Sequence, residues 1–349
     1  MNKHLLSARL STNKRGKDLA KFGVIGAGSW GTALAVLLHS NGHDVDLWSR
    51  NSEVIDNLIN ERANRKYLPK VVIPEGIKIE ADLNKTVRAK DGLLIGVPSH
   101  AVRSVINQFG EIDEETIIIS LAKGIENDTL LRVSQILNEK FNADKIAVLS
   151  GPSHAEEVSR GVPTLVVCAS SNLSASEWVQ KTFMSSEFRV YVHNDVIGVE
   201  VGGALKNVVA IAAGIIDGVG AGDNTKAALI TRALAEITRL GTKLGADSLT
   251  FAGLSGMGDL IVTCMSKYSR NRHLGEQIGK GKTLEQVLSE MVMVAEGVKT
   301  TRSAYELAAQ HEVEVPIITE AHNVLFQNKD PKQAVYDLMT RAAKSEDWG

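Results

Sequence analysis

The chain has 349 residues, 44% apolar and 23% charged, with 39 Lys+Arg against 41 Asp+Glu for a net charge of −2. That composition excludes a largely disordered chain. The near-neutral balance argues against a nucleic-acid binder held by a broad basic face. At ~150 residues per domain, the length implies two domains.

Residues 1–20 carry Lys3, Arg9, Lys14, Arg15 and Lys17 against Asp18 alone. They read as a disordered extension, although a transit peptide would share this basic character; Leu5-Leu6 is too short for a secretory leader. A short apolar run at 22–25 then ends in glycines. Residues 30–41 place Ala33, Leu34, Leu37 and Leu38 at helical spacing, and Asn41-Gly42 stops that helix. A second strand at 45–48 completes a β-α-β unit. Further buried strands are expected at 93–97, 116–120, 146–149 and 165–168, with helical patterns at 101–109 and 130–140 between them. Strands apolar on both faces, alternating with helices, predict a parallel sheet covered by helices. From Asp195 onward the strand signal fades. Helical patterns follow at 195–217, 223–244, 271–279, 298–310, 318–327 and 332–343. The fold expected is α/β: a Rossmann-type doubly wound sheet in residues 21–193, then an all-helical domain in 194–349, packed closely around a cleft.

No uncharged apolar run approaches the ~20 residues that span a bilayer. Cys168 and Cys264, the two cysteines, lie in apolar stretches without metal-ligand spacing. A reducing, cytoplasmic setting fits them. His39 and His43 are four apart but straddle Asn41-Gly42, so no metal site is read.

Gly26-Ala27-Gly28-Ser29-Trp30-Gly31 matches G-x-G-x-x-G between a predicted strand and a predicted helix. Gly26 permits the tight turn, Gly28 lets backbone approach a pyrophosphate, and Gly31 lets helix and strand pack closely. The helix start offers free N–H groups to phosphate. The second strand ends Leu47-Trp48-Ser49-Arg50, with the acidic Asp46 inside it. An Arg at this tip suits a 2′-phosphate, which favours NADP and leaves NAD open.

Three strand tips carry polar residues: Pro98-Ser99-His100, Ala122-Lys123-Gly124 and Gly151-Pro152-Ser153-His154. Lys123 is a candidate to hold an anionic ligand oxygen. Ser153 could cap a helix, or with Gly151 approach a small polar ligand. Lys206 is the most informative residue. It interrupts a helix apolar on nearly every face, and Gly202, Gly203, Val209 and Ala210 around it offer no carboxylate. Burial lowers a lysine's pKa and makes it an acid/base near neutral pH. Gly202 and Gly203 imply close approach of backbone or ligand. Asp259 is a candidate partner for Lys206 across the cleft. Ser269-Arg270-Asn271 at a helix start suits a phosphate.

With Gly-Ser-Trp-Gly-Thr-Ala-Leu-Ala (28–35), Ala-Lys-Gly-Ile-Glu (122–126), Gly-Pro-Ser-His-Ala-Glu-Glu-Val (151–158), Leu-Lys-Asn-Val (205–208), Gly-Met-Gly-Asp-Leu (256–260), Ser-Arg-Asn-Arg (269–272) and Val-Ala-Glu-Gly (294–297), residues 21–340 resemble the bacterial-type NAD(P)-dependent glycerol-3-phosphate dehydrogenases. The resemblance implies reversible hydride transfer between NAD(P)H and dihydroxyacetone phosphate, feeding glycerophospholipid synthesis. It implies that Ser29, Trp30, Arg50, Ala155, Val294 and Glu296 contact the cofactor. Lys123 would touch both cofactor and substrate, and Arg270 likewise. Gly151, Ser153, Asp259, Ser269 and Asn271 would line the substrate site, with Lys206 as proton acceptor. Lys123 and Asn207 are candidates to polarise the carbonyl. The ligand is a phosphorylated small molecule, no nucleic acid or membrane span is expected, and a homodimer stays open. Ala155, Val294 and Glu296 rest on the resemblance alone. A 3-hydroxyacid or 6-phosphogluconate type dehydrogenase shares the layout, lysine included, but the Ser-Arg-Asn group and the Gly-Pro-Ser-His turn favour the glycerol-phosphate reading; an inert NADPH sensor would not need the buried lysine.

Overall fold

A computed structural model describes residues 19–291, 293, 295–343, 345 and 346. The basic extension lies outside these residues except for Leu19 and Ala20. The strands are β1 (Lys21–Ile25), β2 (Asp44–Trp48), β3 (Ala63–Asn64), β4 (Leu68–Val72), β5 (Lys78–Glu80), β6 (Gly92–Ile95), β7 (Ile117–Ser120), β8 (Ile146–Ser150), β9 (Thr164–Ala169) and β10 (Phe188–His193). Eight form one sheet in the order β10-β9-β8-β7-β6-β1-β2-β5, and β3 and β4 make a separate antiparallel pair. β6 and β8 are buried along their whole length, because helices cover both faces.

Strand order reverses at β1, which pairs with β2 on one side and β6 on the other. Such a switch opens a crevice beyond the carboxyl ends of the strands. The sheet departs from the expected all-parallel form at one pair, since β8 and β9 run antiparallel. Gly151 turns with φ +124 and the only helix between β8 and β9 is Ala155–Val158. One helical turn cannot carry the chain back across the sheet for a parallel return. β10 carries no continuous apolar run. Its buried Phe188 and Val190 alternate with exposed Arg189 and Tyr191, as an edge strand with one covered face requires. The helix expected over 130–140 is shortened to Val133–Asn138, because Leu130 sits at φ 57 in the left-handed region.

Beyond β10 the described residues contain helices and no strand. Asp195 caps the helix Val196–Val219 by accepting from the Gly198 N–H at 2.8 Å. This 24-residue helix is long and apolar enough to cross a membrane, yet its most apolar window is wholly buried in the protein. The other helices wrap it. Its closest neighbour is the helix Arg270–Gly279. A Cβ on Gly214 would fall 2.0 Å from the Arg272 carbonyl oxygen, and one on Gly275 would fall 2.0 Å from that of Ile211. The two backbones therefore touch directly, which fixes where residues 269–271 begin. Cys168 in β9 and Cys264 are both buried free thiols.

The sheet and the helical part are also bonded to each other. Glu200, on the central helix, accepts from Arg132 Nη1 at 2.6 Å and from the Ser134 N–H at 2.7 Å.

Gly275→Val should lower unfolding stability by roughly 1–3 kcal/mol through overpacking, measured by urea denaturation. An unchanged midpoint would show that the two helices do not need backbone contact.

Candidate active site

The crevice beyond β1 and β6 is a cleft of about 650 Å³ between the sheet and the helical part. Gly26 leaves β1 at φ +118, where a Cβ would lie 2.8 Å from the Gly96 backbone. Gly31 lets the following helix approach, since a Cβ there would fall 2.1 Å from the Gly26 carbonyl oxygen. Gly28 has no atom within 4 Å of such a position and faces the cleft. The helix Ser29–Ser40 starts here with no side-chain cap, so its first N–H groups remain for a ligand. The buried Trp30 Nε1 also has no partner. An open glycine beside an uncapped helix start and an orphaned buried N–H fits a dinucleotide pyrophosphate. Arg50 lines the same end of the cleft. Asp46 is bonded to Lys90 Nζ at 2.6 Å, inside the strand and off the cleft lining.

At the other end, four segments meet around Asp259, which has 0% exposure. Lys206 Nζ donates to Asp259 Oδ1 and, at 2.9 Å, to Thr263 Oγ1. Lys123 Nζ donates to Asp259 Oδ2 at 2.7 Å and to the Gly151 carbonyl oxygen at 3.0 Å. Burial pulls the Lys206 pKa down to about 8, against the raising effect of Asp259 and with the Lys123 charge adding to the fall. Burial alone would raise the Asp259 pKa, but Lys123 and then Lys206 hold it below the usual carboxylate range. The carboxylate therefore stays ionised. Two of the three Lys206 N–H bonds are used, and Lys206 also lines the cleft. Gly202 serves this arrangement by close approach: a Cβ there would lie 2.7 Å from the Ser255 carbonyl oxygen, within the single π-helical turn Leu254–Gly258 that precedes Asp259. A Cβ on Gly203 would lie 2.7 Å from Ser150 Oγ.

Ser269 caps the helix Arg270–Gly279 by accepting from the Arg272 N–H, and Ser269, Arg270 and Asn271 all line the cleft. Asn271 is a bridge. Its Nδ2 donates to Asn207 Oδ1 at 3.0 Å, and its Oδ1 accepts from the Gly297 N–H at 2.9 Å. Asn207 Nδ2 in turn donates to the Lys123 carbonyl oxygen at 3.2 Å. Both ends of the Asn207 amide are thus engaged in the protein. Glu296 reaches across to the sheet part, accepting from the Ser99 N–H at 3.3 Å; burial raises its pKa, with Arg270 opposing.

Ser153 does not cap the next helix. Its Oγ donates to the Gly151 carbonyl oxygen at 2.8 Å, and His154 takes the capping position. Ser153 and Ala155 line the cleft, whereas Gly151 and Asp259 lie beneath its surface. Val294 falls outside the described residues. Sequence reasoning missed Thr263, one helical turn after Asp259; that i,i+4 spacing was the available signal. It also missed Tyr67, and it left His100 and His154 without a role, although all three line the cleft. Burial, reinforced by Lys206, holds the His154 imidazole below its usual pKa; its ring lies 5.8 Å from that of Tyr268.

Comparison with known proteins agrees with this architecture. A family model described as the NAD-dependent glycerol-3-phosphate dehydrogenase N-terminus matches residues 21–176, and one for the C-terminus matches residues 195–336. A glycerol-3-phosphate dehydrogenase (NAD(P)+) from Thermoanaerobacter sp. is 54% identical over 327 residues, 93% of this chain and 98% of that one. One from Salinibacter ruber is 53% identical, over 93% of this chain and 96% of its own. The crystal structure of glycerol-3-phosphate dehydrogenase from Coxiella burnetii superposes with a TM-score of 0.89 at 38% identity, covering 93% and 99% of the two chains.

Asp259→Asn removes the charge that holds the Lys206 proton. The Lys206 pKa should then fall further below about 8. NMR titration of the 13C-dimethylated lysines checks this, and an unmoved or raised Lys206 resonance would contradict the pairing.

Proposed function

The chain belongs to the NAD-dependent glycerol-3-phosphate dehydrogenase family, and we propose how its own residues carry out that family's reaction. The reaction is reversible hydride transfer between NAD(P)H and dihydroxyacetone phosphate, giving sn-glycerol 3-phosphate, a building block of glycerophospholipids. Residues 21–193 form the dinucleotide-binding domain and 194–349 the helical substrate domain. The observation that carries the reading is Lys206, buried against Asp259 and Thr263 yet open to the cleft that the glycine-rich turn also lines.

When bound, the reduced nicotinamide supplies hydride to the ketone carbon. The first turn of the helix Ser29–Ser40, with Gly26, Gly28 and Gly31 shaping its approach, receives the pyrophosphate. Ser29, Trp30, Ala155 and Glu296 would make the further cofactor contacts. Arg50 meets the ribose 2′ position and favours NADP. Lys206 donates a proton to the carbonyl oxygen as the carbon is reduced, and its neutral amine accepts that proton in the reverse direction. Asp259 keeps the amine charged although it is buried, and Lys123 leaves the cluster with a net positive charge that favours negative charge growing on the substrate oxygen. Ser269, Arg270 and Asn271 hold the substrate phosphate, so remote binding energy orients the carbonyl. Gly151 and Ser153 shape the opposite wall. The two unpaired buried cysteines support a reducing, cytoplasmic setting.

The sign of the pH dependence follows from Lys206. Ketone reduction needs the ammonium and should fall as pH rises through about 8; alcohol oxidation needs the amine and should fall as pH drops through the same value. Rate profiles in both directions test this, and parallel profiles would contradict it. Lys206→Ala should keep cofactor affinity, measured by fluorescence titration, and lose at least ~10²-fold in turnover. Near-normal turnover would refute the assignment. Arg270→Ala should raise KM for dihydroxyacetone phosphate at least ~10-fold; an unchanged KM would put the phosphate elsewhere.

A further inference from the structure

The β2 tip is not the only source of positive charge at its end of the cleft. His100 lies in the turn Ser99–Ala101 after β6 and, like Arg50, lines the cleft. The Ser99 N–H bond to Glu296 holds this turn against the helical part. Lys299 stands three residues after Glu296, on the same face of the helix Glu296–Gln310. It is exposed, as are Arg50 and His100. Burial, then Lys299, then Arg50 hold the His100 imidazole below its usual pKa. Among the described residues, none of the three side chains makes a hydrogen bond or ion pair with another side chain. Glu296 turns its carboxylate to the Ser99 N–H, and like charges left beside one another repel, which a bound dianion relieves. The pyrophosphate is received at the β1 tip and the substrate phosphate at residues 269–271, so neither answers this charge.

We propose that Arg50, His100 and Lys299 together receive the 2′-phosphate of NADP(H), with Lys299 reaching it from the helical part so that this phosphate bridges the two halves of the protein. The inference deepens the NADP reading of Arg50 and rests on it. A phosphate monoester is small enough to be shared by a guanidinium, an ammonium and an imidazole N–H. NADH presents only a hydroxyl there and gains little from Lys299.

The test is equilibrium binding of NADPH and NADH to the full chain, followed by nicotinamide fluorescence. Adenosine 2′,5′-bisphosphate, adenosine 5′-monophosphate and inorganic phosphate serve as competitors. Lys299→Gln should weaken NADPH binding about 10-fold and leave NADH within about twofold, and His100→Asn should act in the same sense. The bisphosphate should lose affinity for both variants while the monophosphate does not. Retained NADH binding reports an intact fold. Equal losses for both cofactors, or none, overturn the proposal, as does inorganic phosphate competing as well as the bisphosphate. If Arg50→Ala abolishes a preference for NADPH that Lys299→Gln and His100→Asn leave intact, this inference alone falls. If the unaltered chain shows no preference for NADPH, the NADP reading falls with it.

Discussion

A carboxylate sealed from solvent between two ammonium groups governs this molecule. Asp259 cannot occupy its position without Lys123 and Lys206, because an isolated buried charge is far too costly. Asp259 in turn opposes the burial that draws the proton off Lys206. The three groups come from three distant segments: the loop after β7, the central helix and the helix Asp259–Met265. Meeting this mutual requirement brings the sheet and the helical part together and leaves a proton-carrying amine facing their cleft.

Close backbone packing supplies the precision. The central helix and the helix Arg270–Gly279 meet at glycines, so the start of the second helix has little room to shift relative to Lys206. A run of amides then extends this alignment, from Gly297 through Asn271 and Asn207 to the backbone of Lys123. The residues that would hold substrate phosphate, proton and cofactor are thus linked through buried hydrogen bonds, each satisfied within the protein.

Features with a local cause were legible in the sequence. The glycine-rich turn announces itself because tight turning and close helix approach act within six residues. Lys206 stands out because an ionisable group in an all-apolar helix needs a reason. Asp259 was readable only as a candidate, since nothing local says which buried lysine it faces. Thr263 escaped notice because its role depends on Lys206, 57 residues away in sequence. The antiparallel turn from β8 to β9 was hidden because an apolar strand carries the same pattern in either direction. The edge strand β10 was missed because its signal is alternation, not a run. The Asn207–Asn271 bridge depends on helix packing that no single segment encodes.

The two cysteines carry a practical corollary. Cys264 lies one residue from Thr263, yet burial pushes its thiol up to about 12, and the Cys168 thiol is raised for the same reason. A reagent that needs a thiolate finds almost none in the native protein, so alkylation marks only molecules that have opened. The chain thus carries its own pair of chemical gauges, one in the sheet and one beside the Lys206–Asp259 pair, and comparing their labelling rates tells which half comes apart first.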